Sequence, residues 1–377
     1  MFQRLANIYD QILLRITLII YYYLPIATAY LNPYQRVSNI IEVLPGAVSF
    51  NSEKYAIYVL WQPRIIPWYV INMLAGLRDH KVNTIIVSNH ELTSEQRNML
   101  QGFSREVLLR GNKGLDFGAY KDAVGHLTKR EKGISRLLLL NDSVYVFRHG
   151  LDELLTTLLL DKYQVVSAYE NWELHYHLQS FCISIAGNVL YDPIVQRFWK
   201  HYRPISIRRW CIDLGEVKFS AALRKAASSF MIIFGINDLL TKINQTDVAT
   251  LLQYREFIPA PIRGHVPSDE VIAVLHESQS EKRAIVMRRF KESLSSLLAL
   301  RAQVHTGAFF FPKFLSSPFM KRDIVYRELF SIYEVERMLL ELDYKAERQP
   351  ILDELRRRGT AAHLRGFAKR RYRLGLI

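Results

Sequence analysis

Cysteine is nearly absent: Cys182 and Cys211 are the only two in 377 residues. That excludes a disulfide framework, allows at most one bridge, and suits a reducing compartment. The chain has no internal repeat and no long Pro/Gly/Ser linker, so one main domain with appendages fits better than a string of modules. Zinc-finger spacing, an RNP motif and an obvious helix-turn-helix are all missing, which removes the common nucleic-acid modules. Acidic residues stop at Glu354, leaving a purely basic tail. Against these absences stand 49% hydrophobic residues and a formal net charge of +14. The first suffices for a sizeable core. The second points to a polyanion, a membrane surface or an anionic substrate.

The N-terminus holds one long apolar run, Ile12 to Leu31 (ILLRITLIIYYYLPIATAYL). Its length approaches a bilayer crossing. Arg15 and Pro25 interrupt it, and Ala27-Thr28-Ala29 mimics a signal cleavage site. A buried or interfacial helix, a membrane-embedded helix and a signal peptide all fit such a segment.

After residue 50 short apolar runs alternate with helical patterns. Tyr55–Trp61, Thr84–Ser88, Val107–Arg110 and Arg136–Leu140 read as strands, followed later by Tyr163–Ala168, His175–Ala186 and Ser228–Phe234. Helical patterns cover Pro67–Leu77, Ser94–Gln101, Asn188–His201 and Asp213–Ala226. This alternation predicts an α/β fold with a mostly parallel central sheet. Leu137 to Leu140 shows no polar alternation, as in a strand buried on both faces. Ligands of open α/β sheets lie beyond the carboxyl ends of the strands. Asn89-His90, the Arg110–Gly118 loop and Asn141-Asp142-Ser143 would share that edge.

The densest stretch is RGNKGLDFGAYKDAV, residues 110–124. Asp116 can cap a helix starting near Phe117, with Tyr120, Val124 and Leu127 on its packed face. Three glycines, Gly111, Gly114 and Gly118, exceed what a capped helix needs. Glycine permits close backbone approach, and free amides at a helix start favour anions. No Gly-Lys-Ser/Thr follows, so the loop is not a P-loop, and its glycines are misplaced for a dinucleotide fingerprint. Asp142, ending a buried strand, either caps a turn or holds Mg²⁺ or Mn²⁺ for a diphosphate. His175, His177 and Gln179 would share one face of a strand. Two histidines there suit either a solvated pair or a ligand or proton acceptor. Glu216 opens a predicted helix, where it either favours the dipole or acts as a base. The tail from Arg356 to Arg373 interleaves arginine and lysine with Leu364, Phe367, Tyr372 and Leu374, a pattern open to anionic membrane, nucleic acid or solvent.

Three segments taken in order resemble the rhamnan synthesis protein F family, bacterial glycosyltransferases of cell-surface polysaccharide assembly. They are Asn112-Lys113-Gly114-Leu115-Asp116-Phe117-Gly118-Ala119-Tyr120-Lys121-Asp122, Leu140-Asn141-Asp142-Ser143 and His177-Leu178-Gln179-Ser180-Phe181. Pro318-Phe319-Met320-Lys321-Arg322-Asp323 is similar to a late motif of that family. The similarity extends from about Tyr55 to Phe330.

The resemblance implies a GT-A-like nucleotide-sugar-binding fold over 51–335; the apolar run before it and the basic run after it read as an N-terminal helical arm over 1–50 and a basic helical tail over 336–377. It implies transfer of a deoxysugar, typically rhamnose from dTDP-rhamnose, to a lipid-linked glycan at the cytoplasmic face of the plasma membrane. Asn112, Lys113, Gly114, Asp116, Gly118, Lys121, Asn141, Ser143, Gln179 and Ser180 would then bind substrate. Asp142 would hold a divalent cation, standing where an Asp-x-Asp metal motif ends, as a single aspartate flanked by Asn141 and Ser143. Glu216 would be the base, and His177 would supply a ligand or touch the acceptor. An inactive scaffold with the same fold, or a nucleic-acid-binding protein using the tail, are the competing readings. On the enzyme reading, Asp142→Ala abolishes transfer and leaves the fold intact.

Overall fold

The computed structural model describes residues 2–32, 38–173, 175–277, 281–299 and 302–377. Residues 1 and 33–37 of the expected N-terminal arm lie outside them. Twelve strands follow in chain order among the described residues: β1 (Ile40–Pro45), β2 (Lys54–Leu60), β3 (Asn83–Ser88), β4 (Glu106–Arg110), β5 (Arg136–Asn141), β6 (Val144–Val146), β7 (Val165–Ser167), β8 (Glu170–Asn171), β9 (His177–Leu178), β10 (Cys182–Ala186), β11 (Phe230–Ile232) and β12 (Phe319–Lys321). Eight of them form one sheet in the order β1-β4-β3-β2-β5-β10-β7-β11.

The heart of the sheet, β4-β3-β2-β5, is parallel. β1 and β10 run antiparallel to their neighbours, and β11 returns parallel to β7. The sheet is therefore mixed, with its parallel part where the sequence places the loops of interest. β1, which the sequence analysis does not anticipate, seals the β4 edge.

Side chains of β2 alternate between two cores. Ala56, Tyr58 and Leu60 face one apolar cluster, while Tyr55, Ile57 and Val59 face the other. Helices cover both faces, which is why the leucine run of β5 is 0–1% exposed. Each such leucine contributes about 1.5–3 kcal/mol through burial. Helices Leu115–Arg130 and Val217–Ala226 pack on one face; Trp68–Asp79 and Leu151–Leu158 pack on the other.

The C-terminal helices join this body rather than hanging from it. Val335, Met338, Ile351 and Leu355 belong to the first core and Leu376 to the second. The N-terminal helical rod differs. Helical from Phe2 to Leu31 with a π-turn at Ile19–Tyr23, it contains one 24-residue segment, Ile8–Leu31, long and apolar enough to cross a membrane. Only 11% of that segment's apolar window is buried, so the buried-helix alternative does not hold. Asp10 ties the rod to Arg370 and Arg373 of the basic tail. At its other end Arg203 donates to the Ala29 and Tyr30 carbonyls and stacks on the Tyr30 ring at 3.9 Å.

Candidate active site

The carboxyl ends of β4 and β5 and the turn after β9 meet at one edge, as the alternating pattern implies. The loop after β4 owes its shape to its own packing. Arg110, 2% exposed, pairs with Asp122 at 2.9 Å, reaches Asn89 Oδ1, and donates to the Lys113 carbonyl at 2.6 Å. Its guanidinium thus fixes where the loop turns. Gly114 is left-handed (φ +76°) and a Cβ there would lie 2.3 Å from Pro204. A Cβ on Gly118 would lie 2.1 Å from the Lys113 oxygen. Both glycines are required by neighbouring backbone, which replaces the expectation that close ligand approach explains them. Gly111 has open space around it.

The helix begins at Leu115, one turn-position earlier than expected, with Gly114 as its N-cap residue. Asp116 does not cap it. Its carboxylate instead accepts from Asn141 Nδ2 at 3.1 Å, across the strand edge. Burial, with the nearby negative charge of Asp142, pushes Asp116 up to about 7. Asn112 offers its carbonyl to Ser206, and Ser206 also accepts from the Gly114 amide at 2.9 Å. The Lys121 ammonium donates to the Tyr202 carbonyl, which orients it along the helix flank.

The expected strand 175–186 breaks in two. β9 holds His177 and Leu178, a turn carries Gln179 to Phe181, and β10 starts at Cys182. His175, His177 and Gln179 therefore do not line one strand face. His177 Nδ1 contacts the His175 carbonyl, while Nε2 lies 3.5 Å from Glu216 and 3.4 Å from Gln179 Nε2. Ser180 Oγ donates to the other oxygen of Glu216.

Glu216 does not open a helix. It ends a π-turn, Cys211–Glu216, inside a helical run that continues to Ala226. Such π-turns recur at functional sites because they re-aim a side chain. Gly215 makes this one fit, since a Cβ there would lie 2.8 Å from the Phe117 ring. Burial alone would depress His177, but the hydrogen bond and charge of Glu216 hold it above its ordinary value. Conversely burial would raise Glu216, and His177 with Ser180 overrides that and holds it below the ordinary carboxylate range. Each partner thus favours the charged form of the other, and the Glu216 side chain keeps 21% of its surface exposed. That is enough to meet an incoming hydroxyl.

Asp142 has a different environment. Its Oδ2 accepts from the Trp61 amide at 3.0 Å and from Gln62, and stands 3.5 Å from Arg322. Arg322 also donates to the Asp142 carbonyl at 2.6 Å and pairs with Glu354 at 2.7 Å. Among the described residues no group of three or more metal-ligating side chains comes together. Asn141 and Ser143, the flanking side chains, are neutral; Asn141 Oδ1 accepts from the Ser143 amide in an Asx turn. These three contacts, from an arginine, an amide and a backbone N–H, all fall on one oxygen of the Asp142 carboxylate, Oδ2.

Three residues of this edge escape a sequence reading. Lys321 donates to Ser143 Oγ at 3.0 Å and lies over the Phe181 ring at 4.3 Å. Arg208 sits within electrostatic reach of Glu216 and Arg327. Trp61, 47% exposed, follows β2 directly, with its ring edge-on to His90. Lys321 and Arg322 stand inside the quoted late motif, but only the antiparallel pairing of β12 with β6 brings them to the edge. No local pattern reports that pairing.

Comparison with known proteins agrees with the motifs. The chain is 23% identical over 222 residues to the uncharacterized protein y4gN of Sinorhizobium fredii, an alignment covering 58% of each chain. It therefore spans little more than half the length of that relative. Among solved structures, a mannosyltransferase, PcManGT from Pyrobaculum calidifontis in complex with GDP-Man and Mn²⁺, overlaps 91% of this chain and 96% of its own. The identity is 8% and the TM-score 0.29, an overlap too loose to carry anything across. The family model described as rhamnan synthesis protein F matches residues 84–255, from β3 past β11.

Proposed function

We propose that the protein is a glycosyltransferase of bacterial cell-surface polysaccharide synthesis. It takes a nucleotide-sugar donor, dTDP-rhamnose being the first choice, and extends a lipid-linked glycan. The reading is supported above all by the Glu216–His177–Ser180 cluster, brought by a π-turn to the strand edge that carries Asp116, Asn141 and Ser143. The family match agrees with it, since a rhamnan is a polymer of a deoxysugar.

The acceptor hydroxyl oxygen attacks the anomeric carbon as its proton passes to Glu216. The bond from that carbon to the diphosphate oxygen breaks, and the nucleoside diphosphate leaves with the electron pair. Ser180 and His177 hold the Glu216 carboxylate in place; they are positioning residues.

Thermal-shift measurements against a panel of nucleotide sugars, with EDTA or Mn²⁺, test the donor class. A ligand at about 100 times its Kd stabilises by about 2.7 kcal/mol. A clear rise with a dTDP-sugar is expected; no shift with any nucleotide sugar overturns the reading.

The exposed apolar rod and the adjoining arginines suit a seat on the inner face of the plasma membrane. Apolar burial combined with attraction to anionic lipid is how interfacial helices bind. Cosedimentation with phosphatidylglycerol vesicles is expected and should weaken in high salt. Recovery of all the protein in the supernatant at low salt counts against this placement.

A further inference from the structure

We propose that Lys321 and Arg208 form a metal-independent diphosphate site, with Ser143 as its hydroxyl donor. This rests on the glycosyltransferase reading and identifies what receives the leaving group. The late strand β12 carries Lys321 to the end of β5 and β6, where its ammonium touches Ser143 Oγ. No carboxylate lies within ion-pair distance of that ammonium among the described residues. Arg208, half-buried at the start of the helical run that leads to Glu216, likewise makes no hydrogen bond or ion pair there.

Four other cations of the neighbourhood are already engaged. Arg327 pairs with Asp323, which also pairs with His305 at 2.9 Å. Arg322 is divided between Asp142 and Glu354. Arg110 is locked to Asp122. Lys121 is bound to a carbonyl.

Two unpaired cations held half out of water are costly unless a partner arrives. Burial pushes Lys321 down to about 8, although Asp323 and Glu216 pull the other way. Arg208 is also depressed, first by burial and then by Arg327. Both shifts are those of positive groups short of counter-charge. A diphosphate supplies it, and arginine and lysine are the side chains suited to phosphate oxygens. Arg208 and Glu216 both act electrostatically on the Lys321 ammonium, and its partner Ser143 lies two residues along the chain from Asn141, which bonds Asp116. A sugar on this site would bridge the diphosphate and Glu216.

The test uses the full chain and inorganic pyrophosphate in calorimetric titration with EDTA present. Binding without metal is expected, falling as pH rises through about 8, where Lys321 loses its proton. Lys321→Met and Arg208→Gln should each weaken it about tenfold or more, the scale of one charge-assisted hydrogen bond. Lys321→Arg, which keeps the charge, should retain most of it. Arg208→Gln strands no partner, so it remains informative if Lys321→Met is unstable. Binding seen only with Mn²⁺ overturns the proposal, as does unchanged affinity in both neutral variants. Pyrophosphate binding that behaves as expected while no nucleotide sugar binds sustains the anion site and removes the glycosyltransferase reading instead.

Discussion

Asp142→Ala is expected to lower the stability of the protein by about 3–5 kcal/mol, the cost of breaking a buried ion pair from one side. Asp142 and Arg322 each expose only 9% of their side chains. Removing the carboxylate leaves the Arg322 guanidinium with Glu354 as its one remaining acid, and the Trp61 amide and the Gln62 side chain lose their shared acceptor. The sequence alone suggests a folded, inactive variant, because it presents Asp142 as a metal ligand at the end of a strand. Chemical denaturation separates the two outcomes. A midpoint equal to that of the parent protein contradicts the structural role. Asp142→Asn should recover part of the loss, since its amide oxygen can still accept from Trp61.

Glu216→Gln should reduce kcat by about 10²- to 10⁴-fold, the usual contribution of a general base. The KM for the donor should stay near its parent value, because Ser180 can still bond to the amide oxygen. A collapse of donor binding with kcat little changed would instead make Glu216 a binding group. The variant also carries a signature in His177, whose titration should drop once its negative partner is gone.

The sign of the pH dependence follows from the same pair. Raised His177 contributes stability that is fully present below its unfolded value of 6.5 and is lost as pH climbs through the higher folded value. Depressed Glu216 contributes above its unfolded value of 4.5 and loses that contribution as pH falls through the lower folded value. The mutual stabilisation is therefore greatest between those limits. Two-dimensional NMR of the imidazole protons follows the His177 part directly, and a titration unchanged in Glu216→Gln would dissolve the pairing.

Much of the parallel core is legible from local pattern. β2, β3, β4 and β5 fall within a residue or two of their expected limits, because buried parallel strands are uninterrupted apolar runs. The convergence of 110–118 with 141–143 follows from the same topology. What escapes has physical causes. β9 and β10 merge in the sequence because Gln179 to Phe181 carries no glycine or proline to mark its turn. Glu216 looks like a first-turn acid because periodicity does not distinguish a π-turn from a new helix. Asp116 looks like a cap until Asn141, from another strand, takes its carboxylate. The glycines of the loop look like ligand contacts until Pro204 and the Lys113 carbonyl are seen against them. Asp116 and Gly114 depend on neighbours distant in sequence, Asn141 and Pro204, and single-sequence pattern carries no information about such neighbours.

The Asp142–Arg322–Glu354 chain also bears on biosynthesis. Asp142 and Arg322 are 180 residues apart, and Glu354 follows 32 residues after Arg322. A ribosome releases the parallel core early, and domains collapse as they emerge. The carboxyl edge of the sheet nevertheless waits for its last counter-charge until the helix Lys345–Arg358 has been translated and has docked. A chain ending before Glu354 leaves Arg322 without one of its two acids. The ion-pair chain at this edge is thus completed late in translation.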